Sequence, residues 1–170
     1  MALKDDLASE ADAILSQPWD LRDGTVVPET SDVALAGGGV KLDAVMLYAD
    51  LADSTELATK FDRRIAAKVL KSFLAGSSRI IRAHDGWIRS FDGDRVMAVY
   101  LGKRARTRAA ITALKINWLV LKVLRPKLEA KYPVLEEGGF SLVHCTGVDV
   151  SDVLVVRAGI RNSNDLIWVG

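Results

Sequence analysis

The sequence predicts an α+β domain of the ferredoxin-like, palm type: a βαββαβ sheet with its helices on one face. Strand-like apolar runs at residues 41–50, 86–91 and 95–101 are interleaved with two long helical patterns. The second and third runs are joined by Asp92-Gly93, a strong signal for a tight hairpin. The resulting order, strand–helix–strand–strand–helix–strand, is that of the split βαβ arrangement. Its first strand is central, and the sheet face away from the helices is free for a substrate or a second subunit.

Residues 3–16 read as a short amphipathic helix, with Leu3, Leu7, Ala11 and Ile14 on one face and Pro18 as its stop. Residues 19–40 read as loop and end in Gly37-Gly38-Gly39, a natural hinge. This divides the chain into an N-terminal helix with a Gly-rich linker (1–40) and a main domain (41–170). Residues 41–50, rich in Val, Met and Leu, form the buried central strand. Asp53 is expected to cap the next helix, with Glu56 as its capping-box partner. That helix runs to about residue 83 on a core stripe of Leu57, Phe61, Ile65, Val69 and Phe73, fraying at Gly76-Ser77-Ser78. The second helix begins near Arg104 and turns Ile111, Leu114, Trp118 and Leu121 inward. Pro126 ends or kinks it near Arg125. Residues 140–150, 153–158 and 166–169 supply the remaining strands.

Composition narrows the function classes. Hydrophobic residues make up 49% of the 170 and charged residues 26%, ordinary for one globular domain. The 23 Lys and Arg against 22 Asp and Glu leave no global basic field for nucleic acid, and the cluster Lys103, Arg104, Arg106, Arg108 reads as a solvated helix start. A single cysteine, Cys145, excludes a disulfide framework and a Cys-based zinc site, and His84 and His144 form no ligand pattern. The acidic start lacks the apolar core of a signal peptide. The most apolar run, 111–124, is too short and too polar to span a bilayer. The expectation is a cytoplasmic protein with no membrane and no nucleic-acid partner.

Asp50 and Asp94 carry the chemical reading. Each stands where a hydrophobic strand meets a turn, and Tyr48 shares the face of Asp50 by strand periodicity. Carboxylates from adjacent strand ends suit Mg²⁺ or Mn²⁺, which are held by few carboxylates plus substrate phosphates. The turn from Leu51 to Thr55 opens into a helix N-terminus, whose free N–H groups favour phosphate. Taken singly, Asp50 also reads as a turn acceptor and Asp92-Gly93 as a plain hairpin turn.

Around these residues the chain resembles the class III nucleotidyl cyclases. Tyr48-Ala49-Asp50-Leu51-Ala52-Asp53-Ser54-Thr55 matches the first signature of that family. The run from Gly86-Trp87 through Phe91-Asp92-Gly93-Asp94 to Val99-Tyr100 matches the second without a gap, and Asn164 to Gly170 resembles the strand leading into the last catalytic helix. The resemblance implies that Asp50 and Asp94 hold two Mg²⁺ or Mn²⁺ ions, with the Leu51 carbonyl as a further ligand. Ser54 and Thr55 would meet the substrate phosphates. A ribose 3′-hydroxyl would attack the α-phosphate and release pyrophosphate, in sites built across a head-to-tail homodimer.

The departures from the family pattern shape the rest. Ser90 stands where purine cyclases read the base, Ile167 stands at the partner base-reading position, and Asp92 replaces an apolar residue. This pocket, completed by Tyr48, is similar to that of the pyrimidine cyclases of Pycsar antiphage defence. That similarity implies a uridylate cyclase converting UTP to cyclic UMP, which signals to a separate effector. The alternatives are a cytidylate or purine cyclase, an inactive cyclase-like nucleotide-binding or dimerisation domain, and an RNA-binding ferredoxin-like module. The family's Asn and Arg would follow Gly170, so the C-terminal part of the catalytic domain is expected to be missing.

Overall fold

The computed structural model describes residues 2–170. In chain order the elements are α1 (Leu3–Ser16), β1 (Asp20–Asp23), a 3-10 turn (Thr30–Asp32), β2 (Gly38–Leu51), α2 (Ser54–Lys60), α3 (Arg63–Ala83), β3 (Trp87–Asp92) and β4 (Arg95–Leu101). They continue with α4 (Ala105–Leu119), a π-helical turn (Val120–Leu124), α5 (Arg125–Lys131), α6 (Pro133–Glu137), β5 (His144–Ile160) and β6 (Ser163–Val169). The chain divides into two compact units, residues 1–43 with 152–170, and residues 44–151.

The larger unit has the predicted strand arrangement. β2 lies between β4 and β5, with β3 outside β4, and β2–β4 and β3–β4 pair antiparallel. One sheet face supplies Val45, Leu47, Ala49 and Leu51 from β2 and Val96, Ala98 and Tyr100 from β4 to the core. On it pack Val69, Phe73 and Ile81 of α3 and Ala109 and Ile116 of α4, all essentially inaccessible to water. Burying such side chains is worth roughly 1.5–3 kcal/mol each and drives the sheet against the helices. The only hydroxyl pair in this layer among the described bonds is satisfied: Tyr100 Oη donates to Thr112 Oγ1 at 3.0 Å, and Thr112 Oγ1 donates to the Arg108 carbonyl at 2.8 Å.

Several local expectations need correction. The helix after β2 is broken at Phe61-Asp62, where the Asp62 carboxylate accepts the Arg64 N–H at 2.8 Å and caps α3. Asp53 precedes α2 but makes no side-chain cap. Its left-handed backbone (φ 59°) replaces the extended conformation that a capping aspartate adopts, so the box with Glu56 does not form. Gly76-Ser77-Ser78 does not fray; Ser77 is buried inside α3. On α4 the inward residues are Ala105, Ala109, Thr112 and Ile116, while Leu114 is 70% and Trp118 58% exposed. Small residues let α4 lie close to the sheet, and the large apolar ones are left outside. Pro126 does not end the helical run: it stands in the first turn of α5, directly after the π-helical turn that interrupts regular winding.

In the smaller unit, β1 pairs parallel with the start of β2, and the end of β5 pairs antiparallel with β6. The expected loop at 19–40 thus contains a strand, and Gly38 and Gly39 are buried strand residues rather than a hinge. A Cβ on Gly39 would stand 2.6 Å from Leu21 Cδ2 and 3.1 Å from Leu154 Cδ1, which explains the glycine. Residues 140–143 are not strand, and β5 runs unbroken through Ser151-Asp152. The predicted helix α1 has the expected bounds, with Leu3, Leu7 and Ile14 exposed.

Two stability measurements follow from this packing. Burial, then the nearby Arg125 guanidinium, hold the His144 imidazole below its ordinary value of 6.5. The neutral ring is therefore the folded form, and the unfolded chain takes up the proton first. Stability from His144 is present above pH 6.5 and is lost as pH falls through the lower folded value. Melting curves between pH 7.5 and 5 should decline, and His144→Gln should flatten part of that decline. Tyr100→Phe leaves the Thr112 hydroxyl without its donor and should cost about 1 kcal/mol in chemical denaturation.

Candidate active site

The site sits on the sheet face away from α3 and α4, and the strand registers assemble it. Asp50 is directly opposite Arg95, and Arg95 is directly opposite Asp92, so these three form one rung across β2, β4 and β3. Tyr48, Met97 and Ser90 form the neighbouring rung in the same way. Directly opposed residues share a face with Cβ atoms roughly 5 Å apart. Tyr48, Asp50, Ser90 and Asp92 are therefore neighbours, although they are scattered in sequence.

Asp94 reaches the same edge through the hairpin. The turn consists of Gly93 and Asp94 rather than Asp92-Gly93, because Asp92 is still paired with Arg95. Gly93 has φ 61°, the conformation that favours glycine at the first turn position. Asp94 is then chain-adjacent to Arg95, the partner of Asp50, so the two carboxylates stand at neighbouring strand ends. Both are partly buried. The described residues contain no group of three or more His, Cys, Asp or Glu able to hold a metal by themselves. Two carboxylates and a backbone carbonyl fit Mg²⁺ or Mn²⁺ when a nucleotide supplies phosphate oxygens.

Ser90 owes its place to a β-bulge. Ile88 pairs with Ala98 and packs on the core, and normal alternation would turn Ser90 inward as well. The register shifts between them, which turns Ser90 to the open face, its hydroxyl 3.7 Å from the Met97 sulfur. Ser54 and Thr55 open α2 directly after the left-handed Asp53, and no side chain caps this turn. Leu51 is buried at the end of β2, and the following Ala52 N–H donates to the Val143 carbonyl at 3.0 Å. Ile167 belongs to the smaller unit, where it pairs with Val156 and is 47% exposed.

Arg95 is the site residue that the sequence reading missed. Its Nη2 donates to Asp92 Oδ2 at 2.8 Å, and its guanidinium lies 5.6 Å from the centroid of the Tyr48 ring. The hydrogen bond to Asp92, reinforced by the charges of Asp92 and Asp50, raises its hold on the proton. The signal was available: with Val96 and Ala98 facing the core, alternation sends Arg95 and Met97 to the face of Asp50. Arg95 thus offers the open face a cation for phosphate or base. The Arg95–Asp92 pair is solvent-exposed and contributes little to stability. Arg95→Met should accordingly leave the melting temperature nearly unchanged while weakening nucleotide binding in equilibrium titration.

Comparison with known proteins gives this geometry its family. No family model matches the sequence. Several relatives carry the name uridylate cyclase, two of them as follows. The one from Rhodovulum sp. (strain MB263) is 45% identical over 170 residues, covering 100% of this chain and 71% of its own length. The one from Xanthomonas perforans is 39% identical over 171 residues, covering 100% of this chain and 73% of its own. Among solved structures, a class III adenylyl cyclase-like ATP-binding protein from Pseudomonas aeruginosa superposes with a TM-score of 0.73. It is 14% identical, with 97% of this chain and 37% of that one covered, a likeness of fold alone. The chain therefore belongs to the family of uridylate cyclases, nucleotidyl cyclases built on the class III cyclase fold.

Proposed function

We propose that this protein converts UTP to 3′,5′-cyclic UMP and pyrophosphate. The observation that carries the reading is the pair of adjacent rungs, Asp50–Arg95–Asp92 and Tyr48–Met97–Ser90, beside the turn that bears Asp94. The Asp50 and Asp94 carboxylates and the Leu51 carbonyl would hold two divalent ions, Mg²⁺ or Mn²⁺. Bound there, the ions supply charge neutralisation at the reacting phosphate and a lowered pKa for the attacking hydroxyl.

The remaining residues bind and orient. Ser54 and Thr55 present hydroxyls to the triphosphate beside the metal carboxylates. Arg95, held by Asp92 and stacked near Tyr48, places one positive charge at the same edge. Tyr48, Met97 and Ser90 form a wall that is apolar except for one small hydroxyl. Such a wall lacks the paired donor and acceptor that a purine edge needs, and an unmatched polar edge is costly to bury. A ring of pyrimidine size, bonded through Ser90, fits this chemistry best.

The reaction balances without a co-reactant: the 3′-oxygen bonds to the α-phosphorus, the bond to the β-phosphate oxygen breaks, and the hydroxyl proton leaves to solvent. On this reading the enzyme works as a head-to-tail homodimer, with Ile167 contributing to the nucleotide pocket. It acts in the cytoplasm, and its cyclic nucleotide signals to a separate effector in antiphage defence. Among the described residues no helix is long and apolar enough to cross a membrane.

Incubation of the full-length protein with each of the four nucleoside triphosphates and Mn²⁺, with products identified by mass, tests the substrate directly. Cyclic UMP is expected from UTP. Cyclic AMP or GMP as the main product overturns the pyrimidine reading, and no cyclic product from any triphosphate overturns the activity. Asp50→Asn and Asp94→Asn should each lower turnover by roughly a hundredfold or more. Their melting temperatures should hold or rise, since each removes a negative charge from a crowded acidic edge.

A further inference from the structure

The π-helical turn and the arginine that follows it lead back to the metal-bearing turn. A π-helical turn carries an additional residue and so changes the direction in which the next side chains leave the helix; such turns are frequent at functional sites. Here the backbone N–H of Arg125 closes the turn on the Val120 carbonyl. Arg125 then points at residues 140–143, a stretch with no regular structure of its own. Its Nε and Nη2 both donate to the Leu142 carbonyl, at 3.1 and 2.8 Å, in a partly buried setting.

The next carbonyl along, that of Val143, accepts the Ala52 N–H at 3.0 Å. Ala52 directly follows Asp50 and Leu51. Three consecutive supports thus connect helix to turn: the guanidinium fork fixes Leu142, Leu142 fixes the Val143 peptide, and Val143 holds Ala52. The buried side chains of Phe140 and Leu142 anchor this stretch in the core, and outside sheet and helix its carbonyls at 142 and 143 take their bonds from Arg125 and Ala52. The fork is therefore well placed to determine how the Leu51–Ala52 peptide is oriented, and with it the Leu51 carbonyl.

We infer that Arg125 is a positioning residue for cyclisation, one that orients the Leu51 carbonyl and the Asp50 turn through residues 142–143. The inference rests on the proposed metal roles of Asp50 and Leu51. Arg125 touches neither nucleotide nor metal; it preorganises the peptide that does. Supports of this kind behind a metal ligand are worth about 10- to 100-fold in metal affinity.

The test uses Arg125→Met, Arg125→Lys and Asp50→Asn in the full-length protein, with two readouts. The first is the Mn²⁺ concentration giving half-maximal cyclic UMP formation, measured alongside the KM for UTP at saturating Mn²⁺. The second is hydrogen exchange at the Ala52 amide in metal-free protein, compared with Val99 in the buried part of β4. Arg125→Met should raise the half-maximal Mn²⁺ by about tenfold while KM stays within about twofold. It should also speed exchange at Ala52 but not at Val99. Arg125→Lys, with one donor group instead of a fork, should fall between Met and wild type in both readouts.

Wild-type Mn²⁺ dependence and Ala52 exchange in Arg125→Met overturn the inference, as does equal acceleration at Val99, which marks a general loss of stability. Should Arg125→Met fail to fold, Arg125→Lys decides alone, and wild-type values in both readouts overturn the inference. An Asp50→Asn enzyme with unaltered Mn²⁺ dependence overturns the metal reading instead. Ala52 exchange then still reports whether Arg125 orders the turn.

Discussion

The antiparallel pairing of β2 with β4 governs where every polar group of the open face stands. Leu47 opposite Ala98 and Ala49 opposite Val96 are the core partners of this register. Sliding one strand by a single residue would send these side chains to water and Tyr48 and Asp50 into the helices. The apolar residues therefore hold the polar ones in place: burial of Leu47, Ala49, Val96 and Ala98 is what sets Asp50 against Arg95. The active face needs no separate device to align β2 with β4, because hydrophobic packing on the opposite face has already done so.

Two local irregularities then adapt that frame to chemistry. The left-handed Gly93 turns the chain within two residues and leaves Asp94 at the strand end nearest Asp50. The bulge at Arg89 reverses the alternation of β3, so that one strand serves the core through Ile88 and the open face through Ser90. Neither feature adds apolar burial. Each redirects one polar group, which is the usual work of bulges and turns beside active sites.

Much of this was legible in the sequence. The apolar runs at residues 41–50 and 95–101, together with the hairpin signal, marked the strand order, and the two signature segments marked the carboxylates. The errors have physical causes. Around α4 apolar residues occur on all sides, so periodicity does not choose a face, and the tight approach permitted by Ala105, Ala109 and Thr112 decided against the larger Leu114 and Trp118. The break at Phe61-Asp62 lay hidden because the spacing of Leu57, Phe61 and Ile65 continues across it, while only the Asp62 cap marks the restart. Arg95 escaped notice because its role depends on cross-strand partners 47 to Tyr48 and 3 to Asp92 positions away in sequence, and only register brings them together.

The π-helical turn at Val120–Leu124 also limits how this chain can change in length. Each residue advances a helix by about 100°. Removing one residue there would restore ordinary helical winding and swing Arg125 well away from Leu142, with no change in the chemistry of any remaining side chain. The same deletion in the exposed Gly102–Arg104 link would shorten only a surface connection. Between β4 and β5, then, the spacing of residues is as much a part of the inherited information as their identity, and an aligned relative with a gap inside this helix would have had to find another way to place its arginine.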